Sequence, residues 1–164
     1  IYTGEDTLSL HDALPIYFIE IITTKTLNEN HLENLTLAIK EGTRYVWEKA
    51  IDRLELLAFH FENAKEKIVD LIKNSDAKTT DKVLNCLSSA FSTEEQIEIL
   101  KIGFDNKSKK VKIKSAVAAL ELRNLELNKF LEIEYQNQAD SKVKENIKFA
   151  IDNMWQKKGE LIFY

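Results

Sequence analysis

At 164 residues, with 30% of them charged and 44% apolar, the chain is long enough for one domain with a continuous core. A formal net charge of −4 argues against strong overall attraction to nucleic acid, and no run of 18 or more apolar residues marks a membrane span. The single cysteine, Cys86, has no internal disulfide partner, which suits a reducing compartment and makes the cytoplasm the expected location.

The chain opens on a segment that does not read as native protein. Thr7 to Ile16, TLSLHDALPI, match residue for residue one translated frame of a common sequencing adapter. Ile1-Tyr2-Thr3 fits an earlier stretch of the same adapter, and Gly4-Glu5-Asp6 leave room for a sample index. Residues 1–16 are therefore set aside, and 17–164 are taken as a single domain truncated on its N-terminal side. Without Glu5, Asp6 and Asp12 the formal charge moves from −4 to −1, and the only proline, Pro15, goes with them.

From Tyr17 the stretch YFIEIITTKT is apolar and β-branched, and periodicity alone does not assign it. Leu32, Leu35, Leu37 and Ile39 then come mostly at helical spacing, predicting a helix over Glu29–Glu41 that Gly42 stops. Beyond it a period appears. Val46-Ala50-Leu54-Leu57, Thr79-Val83-Leu87-Ala90, Val111-Ser115-Ala119-Leu122 and Val143-Ile147-Ile151-Met154 share one four-four-three spacing. Their starts lie 33, 32 and 32 residues apart. Second helices between them carry Ile68-Leu71-Ile72, Ile97-Leu100 and Leu127-Phe130-Leu131. Asn63 with Glu66, and Ser92 with Glu95, have the offset of a capping box and predict two helix starts. Units of this length cannot each bury an apolar face alone, so stacking is expected, with a plain helical bundle as the alternative.

The organising stretch is Val111–Leu122, VKIKSAVAALEL, which places Val111, Ser115, Ala116, Ala118, Ala119 and Leu122 on one helical face. Small residues there let a second helix approach closely. Asp105, then Val111-Lys112, then Ser115-Ala116-Val117-Ala118 resembles the unit of HEAT-type repeat proteins over about residues 44–154. Lys112 replaces the family's arginine, Ser115 an alanine, and no first helix carries a proline. The resemblance implies an all-α, right-handed α-solenoid of antiparallel helix pairs. It also implies a non-catalytic scaffold that binds a protein partner through the inner surface of its second helices. Two rivals are a DNA-glycosylase-type nucleic-acid binder and a bilin-lyase-like module. Trp47, Asp52 and Arg53 have the residue types of the former without its motif, and nothing distinguishes the latter.

Chemistry-bearing patterns are sparse. Gly42, Gly103 and Gly159 are isolated, so no phosphate loop is expected. Cys86, His31 and His60 have no ligand spacing, and no metal or cofactor is expected. Glu94, Glu95 and Glu98 read as a solvated helix start before they read as acid–base catalysts. Cys86, beside core Leu87, reads as a small buried hydrophobe. Two features are candidates for partner binding. Lys107, Lys109, Lys110, Lys112 and Lys114 fall within eight residues, as a solvated face or as a patch steering an acidic partner. Nearby aromatics that would stack on bases are lacking, which disfavours nucleic acid. Trp47, next to Val46 in a cluster with Tyr45, Phe59 and Phe61, is the other, as a partly exposed anchor. Phe59 and Phe61 are expected to fill a helix–helix corner.

Overall fold

A computed structural model describes residues 31–155, which form eight α-helices and two 3-10 turns with no strand among them. The adapter-like segment, the stretch after Tyr17 and the start of the first predicted helix lie outside the described residues. Helix α1 spans Leu32–Glu41, α2 Arg44–Ala58, α3 Glu62–Asn74, α4 Ala77–Val83, α5 Thr93–Asp105, α6 Lys109–Leu122, α7 Asn128–Asn137 and α8 Ser141–Asn153. The 3-10 turns, Leu84–Cys86 and Leu125–Leu127, follow α4 and precede α7.

Helical period explains burial almost element by element. In α2 the stripe Val46, Ala50, Leu54 and Leu57 is buried; α3 buries Ala64, Ile68, Leu71 and Ile72. Helix α8 buries Val143, Ile147 and Ala150, and Met154 follows beneath it. These side chains join one core with α1 through Leu35 and Ile39. Helices α1 and α2, α2 and α3, α3 and α4, α5 and α6, and α7 and α8 pack on each other, and contacts also run from α1 and α2 to α4, from α4 to α6, from α6 to α8 and from α3 to α5. The broadest of all is α6 on α8. Helix α6 touches α4, the 84–86 turn, α5 and α8, so it is the central element.

Its small face is what brings the neighbours close. Val111, Ser115, Ala116, Ala118 and Ala119 are buried as the spacing predicts, with Leu120 buried in place of half-exposed Leu122. Ser115 lies against Gly103 of α5, and any side chain at 103 would overlap its hydroxyl. Gly42 likewise ends α1, with its N–H donating to the Ala38 carbonyl at 2.9 Å. It does so in an extended conformation (φ −65°, ψ 153°), so close approach to the Ala38 carbonyl oxygen, and then to Val46, not a left-handed backbone, is the reason for a glycine.

Of three local expectations, one is met and two differ from the structure. The Ser92–Glu95 capping box forms, with Ser92 Oγ accepting from Glu95 N at 3.3 Å and Glu95 Oε2 accepting from Ser92 N at 2.6 Å. The Asn63–Glu66 box does not, because α3 already begins at Glu62, after Phe61, and no side chain caps it. The stripe from Thr79 to Ala90 is not one helix. Helix α4 stops at Val83, where the Asn85 side chain donates to the Lys82 carbonyl at 2.8 Å and the chain tightens into a 3-10 turn. Leu87 stays buried beyond that turn, in extended backbone.

Polar side chains join elements far apart in sequence. Asn124 donates to Thr93 Oγ1 at 3.0 Å and to Gln96 Oε1 at 2.9 Å, while Gln96 donates to the Phe91 carbonyl at 3.0 Å. Arg123 adopts a left-handed backbone (φ 54°, ψ 28°) at the end of α6, a conformation costing a non-glycine residue about 1 kcal/mol. Its guanidinium donates to the Asn153 carbonyl at 2.6 Å, satisfying an orphan acceptor at the end of α8.

Candidate partner-binding surface

The lysine patch is largely committed within the chain. Lys109 pairs with Asp140 at 2.9 Å and Lys110 with Asp81 at 2.9 Å. Lys112 donates to Gln138 Oε1 at 3.1 Å, and the Gln138 amide in turn donates to the buried Glu134 carboxylate at 3.2 Å. Lys114 donates to Asn85 Oδ1. Only Lys107 has no hydrogen bond or ion pair among the described residues. Sequence spacing put five lysines together; the fold spreads four of them towards α4, the 84–86 turn, α7 and the start of α8.

Trp47 is half-buried and packs on the core. The Lys82 ammonium sits 5.3 Å from its ring centroid and donates to the Ile39 carbonyl, closing the end of α1. Burial lowers the Lys82 pKa, repulsion from Lys78 adds to the shift, and Asp76 opposes it. Phe61 packs on the core as expected, but Phe59 is 50% exposed and fills no corner. It stands at the end of α2, where the chain turns away before reaching cover. Cys86 is buried, and burial first, then the Glu55 and Asp52 carboxylates, push its thiol pKa well up. No group of three His, Cys, Asp or Glu among the described residues is arranged to hold a metal ion.

A concavity lies elsewhere, between α3 and α5. It is an open groove of about 380 Å³. Its floor is apolar: Val69 on α3, Phe91 before α5, and Ile99 and Ile102 on α5. Its walls are acidic. Glu62, Glu66 and Asp70 recur every four residues along α3, one stripe of a helix face, and Glu95 and Glu98 face them from α5. Lys65 lies within, 3.5 Å from Glu62, 3.8 Å from Glu95 and 5.8 Å from the Phe91 ring centroid. Lys73 is the other cation at the edge.

In the sequence Glu66 and Glu95 read as capping-box partners and Glu95 and Glu98 as solvated carboxylates, while Glu62, Asp70, Val69 and Ile102 carry no motif that singles them out. A signal was present. Glu62, Glu94 and Glu126 lie 32 residues apart, as do Glu66 and Glu98. An acidic column therefore recurs with the period. Carboxylates at helix starts also favour the helix dipole, which gives that column a structural role as well. Comparison of the chain with family models, with curated proteins and with solved structures finds no match in any of the three.

Proposed function

We propose that the chain is a protein-interaction scaffold, built as a stack of HEAT-like antiparallel helix pairs and docking its partner on the face formed by the second helices α3, α5 and α7. The observation carrying this reading is the open α3–α5 groove, where Val69 and Ile102 stay partly exposed between two neighbouring units. The polar ties support the stacked arrangement. Lys110–Asp81 and Lys114–Asn85 span 29 residues, Arg123–Asn153 spans 30 and Asn124–Thr93 spans 31. Each is close to the 32-residue period, as expected if a unit bonds mainly to its neighbour. A reducing compartment such as the cytoplasm suits a chain whose one thiol is buried and unpaired. No helix among the described residues is long and apolar enough to cross a membrane.

The rival is nucleic-acid binding through the lysines. Their engagement with Asp81, Asp140, Asn85 and Gln138 counts against it, since each phosphate contact would cost an internal one. Titration with duplex and single-stranded DNA at two salt concentrations decides between them. The scaffold reading expects no sub-micromolar complex. A tight complex whose affinity falls linearly in log salt, and which is lost when residues 107–114 carry alanine for lysine, overturns it.

A further inference from the structure

We propose that the α3–α5 groove takes a short basic, amphipathic segment of the partner protein, seating an apolar side chain on Val69 and Ile102 while its lysines or arginines meet the acidic walls. This rests on the scaffold reading and names the chemistry of its partner.

The argument is one of charge and shape together. Five carboxylates line the groove against two ammonium groups, Lys65 and Lys73. Lys65 is already shared between Glu62 and Glu95 and stacked towards Phe91, so it neutralises its own neighbours. Glu66 and Glu98, one on each wall, have no ion pair or hydrogen bond among the described residues. Two unpaired carboxylates lining one groove raise the local negative potential, and an incoming cation relieves it.

Length fits a segment. Glu62 to Asp70 covers about 12 Å of helix, matching about two turns of a docked helix. An apolar floor with a charged rim is the usual division of labour at a protein interface, the floor giving affinity and the rim specificity and rate. Of the floor residues, Val69 and Ile102 are half-buried and offer the apolar contact, while Phe91 and Ile99 are buried and support them. An acidic or purely polar segment would meet like charge or leave this floor wet.

The test uses the full chain and a fluorescein-labelled amphipathic peptide of leucine and lysine, about three turns long. A control peptide carries glutamate for every lysine. Anisotropy should show saturable binding of the basic peptide, weakened as salt rises, and none of the acidic one. E66K/E98K should weaken it about tenfold or more, because two rim charges change sign. Both residues are exposed and form no internal bond, so the fold should survive the change. E66Q/E98Q, with a smaller loss in the same direction, carries the test if the reversal perturbs circular dichroism. Equal binding of both peptides, no binding of the basic one, or unchanged affinity in these variants overturns the proposal. Self-association of the wild-type chain abolished by E66K/E98K also overturns it, making a second copy the occupant. Failure here with no DNA complex leaves the scaffold standing on another face; a DNA complex overturns the scaffold itself.

Discussion

Gly103 of α5 and Ser115 of α6 meet face to face, with the serine hydroxyl occupying the space a Cβ at 103 would need. Ser115 Oγ meanwhile donates to the Val111 carbonyl at 3.0 Å, so it has a reason to stay. Gly103→Ala should lower stability. Overpacking at a buried helix crossing costs about 1–3 kcal/mol, against at most about 1 kcal/mol gained from alanine's helix propensity. A fall of about 3–8 °C in Tm is expected, partly restored by adding Ser115→Ala. A Tm that rises in the single variant would show that the two helices separate freely.

Asn124 holds three partners at once: Thr93, Gln96 and the N–H of Glu126, the last at 3.1 Å. Asn124→Ala leaves the Gln96 carbonyl oxygen without its donor beside the core, a loss of about 1–3 kcal/mol. Denaturant unfolding should show a lower midpoint with an unchanged slope. An unchanged midpoint rejects the idea that this junction ties α5 to the turn before α7.

Acid sensitivity follows from the caps. The Lys109 ammonium, then the Val143 N–H, hold the Asp140 carboxyl below its ordinary value. The Thr79 backbone N–H does the same for Asp76. Folded-state values lie below unfolded ones, so both groups stabilise the fold above the unfolded value, about pH 3.9. That contribution is lost as pH falls through the folded values. Asp76→Ala/Asp140→Ala should therefore show a shallower fall of Tm below about pH 4 than wild type. Parallel acid limbs would remove these caps from the account.

Cys86 should react slowly with thiol reagents in the native state. Its thiol is buried, approaches the Ile51 carbonyl at 3.8 Å, and is kept protonated first by burial and then by Glu55 and Asp52. Reagent uptake should accelerate sharply in denaturant. Rapid labelling of native protein would reopen the case for a reactive cysteine.

Much of the fold was legible because burial follows the helical period wherever a helix is long. The stripe of α2 is visible as residue spacing, and those of α6 and α8 are visible apart from Leu122 and Ile151, where Leu120 and Ala150 are buried instead; the need for small residues at Ser115 is visible too. What was not legible depended on local competition or on three-dimensional placement. Asn85 bonding to the Lys82 carbonyl ends α4 early, a choice that apolar spacing from Thr79 to Ala90 conceals. Asn63 has the right partner three residues on, yet the helix starts before it. The lysines of 107–114 looked like one patch because sequence neighbours were counted, whereas a helix points them at different elements. The groove joins Glu66 to Glu98 across 32 residues, and only the packing of α3 on α5 puts them opposite each other.

The neighbour-to-neighbour ties have a consequence for how the molecule comes apart. Arg123 hydrogen-bonds α8 at Asn153, and Asn124 hydrogen-bonds α5 at Thr93 and Gln96, so these ties join neighbouring units and not distant ones. Fraying should therefore start at the outermost helices and work inward, as in a zipper opened from its ends. Amide protons of α6, braced on several sides, would be among the last to exchange.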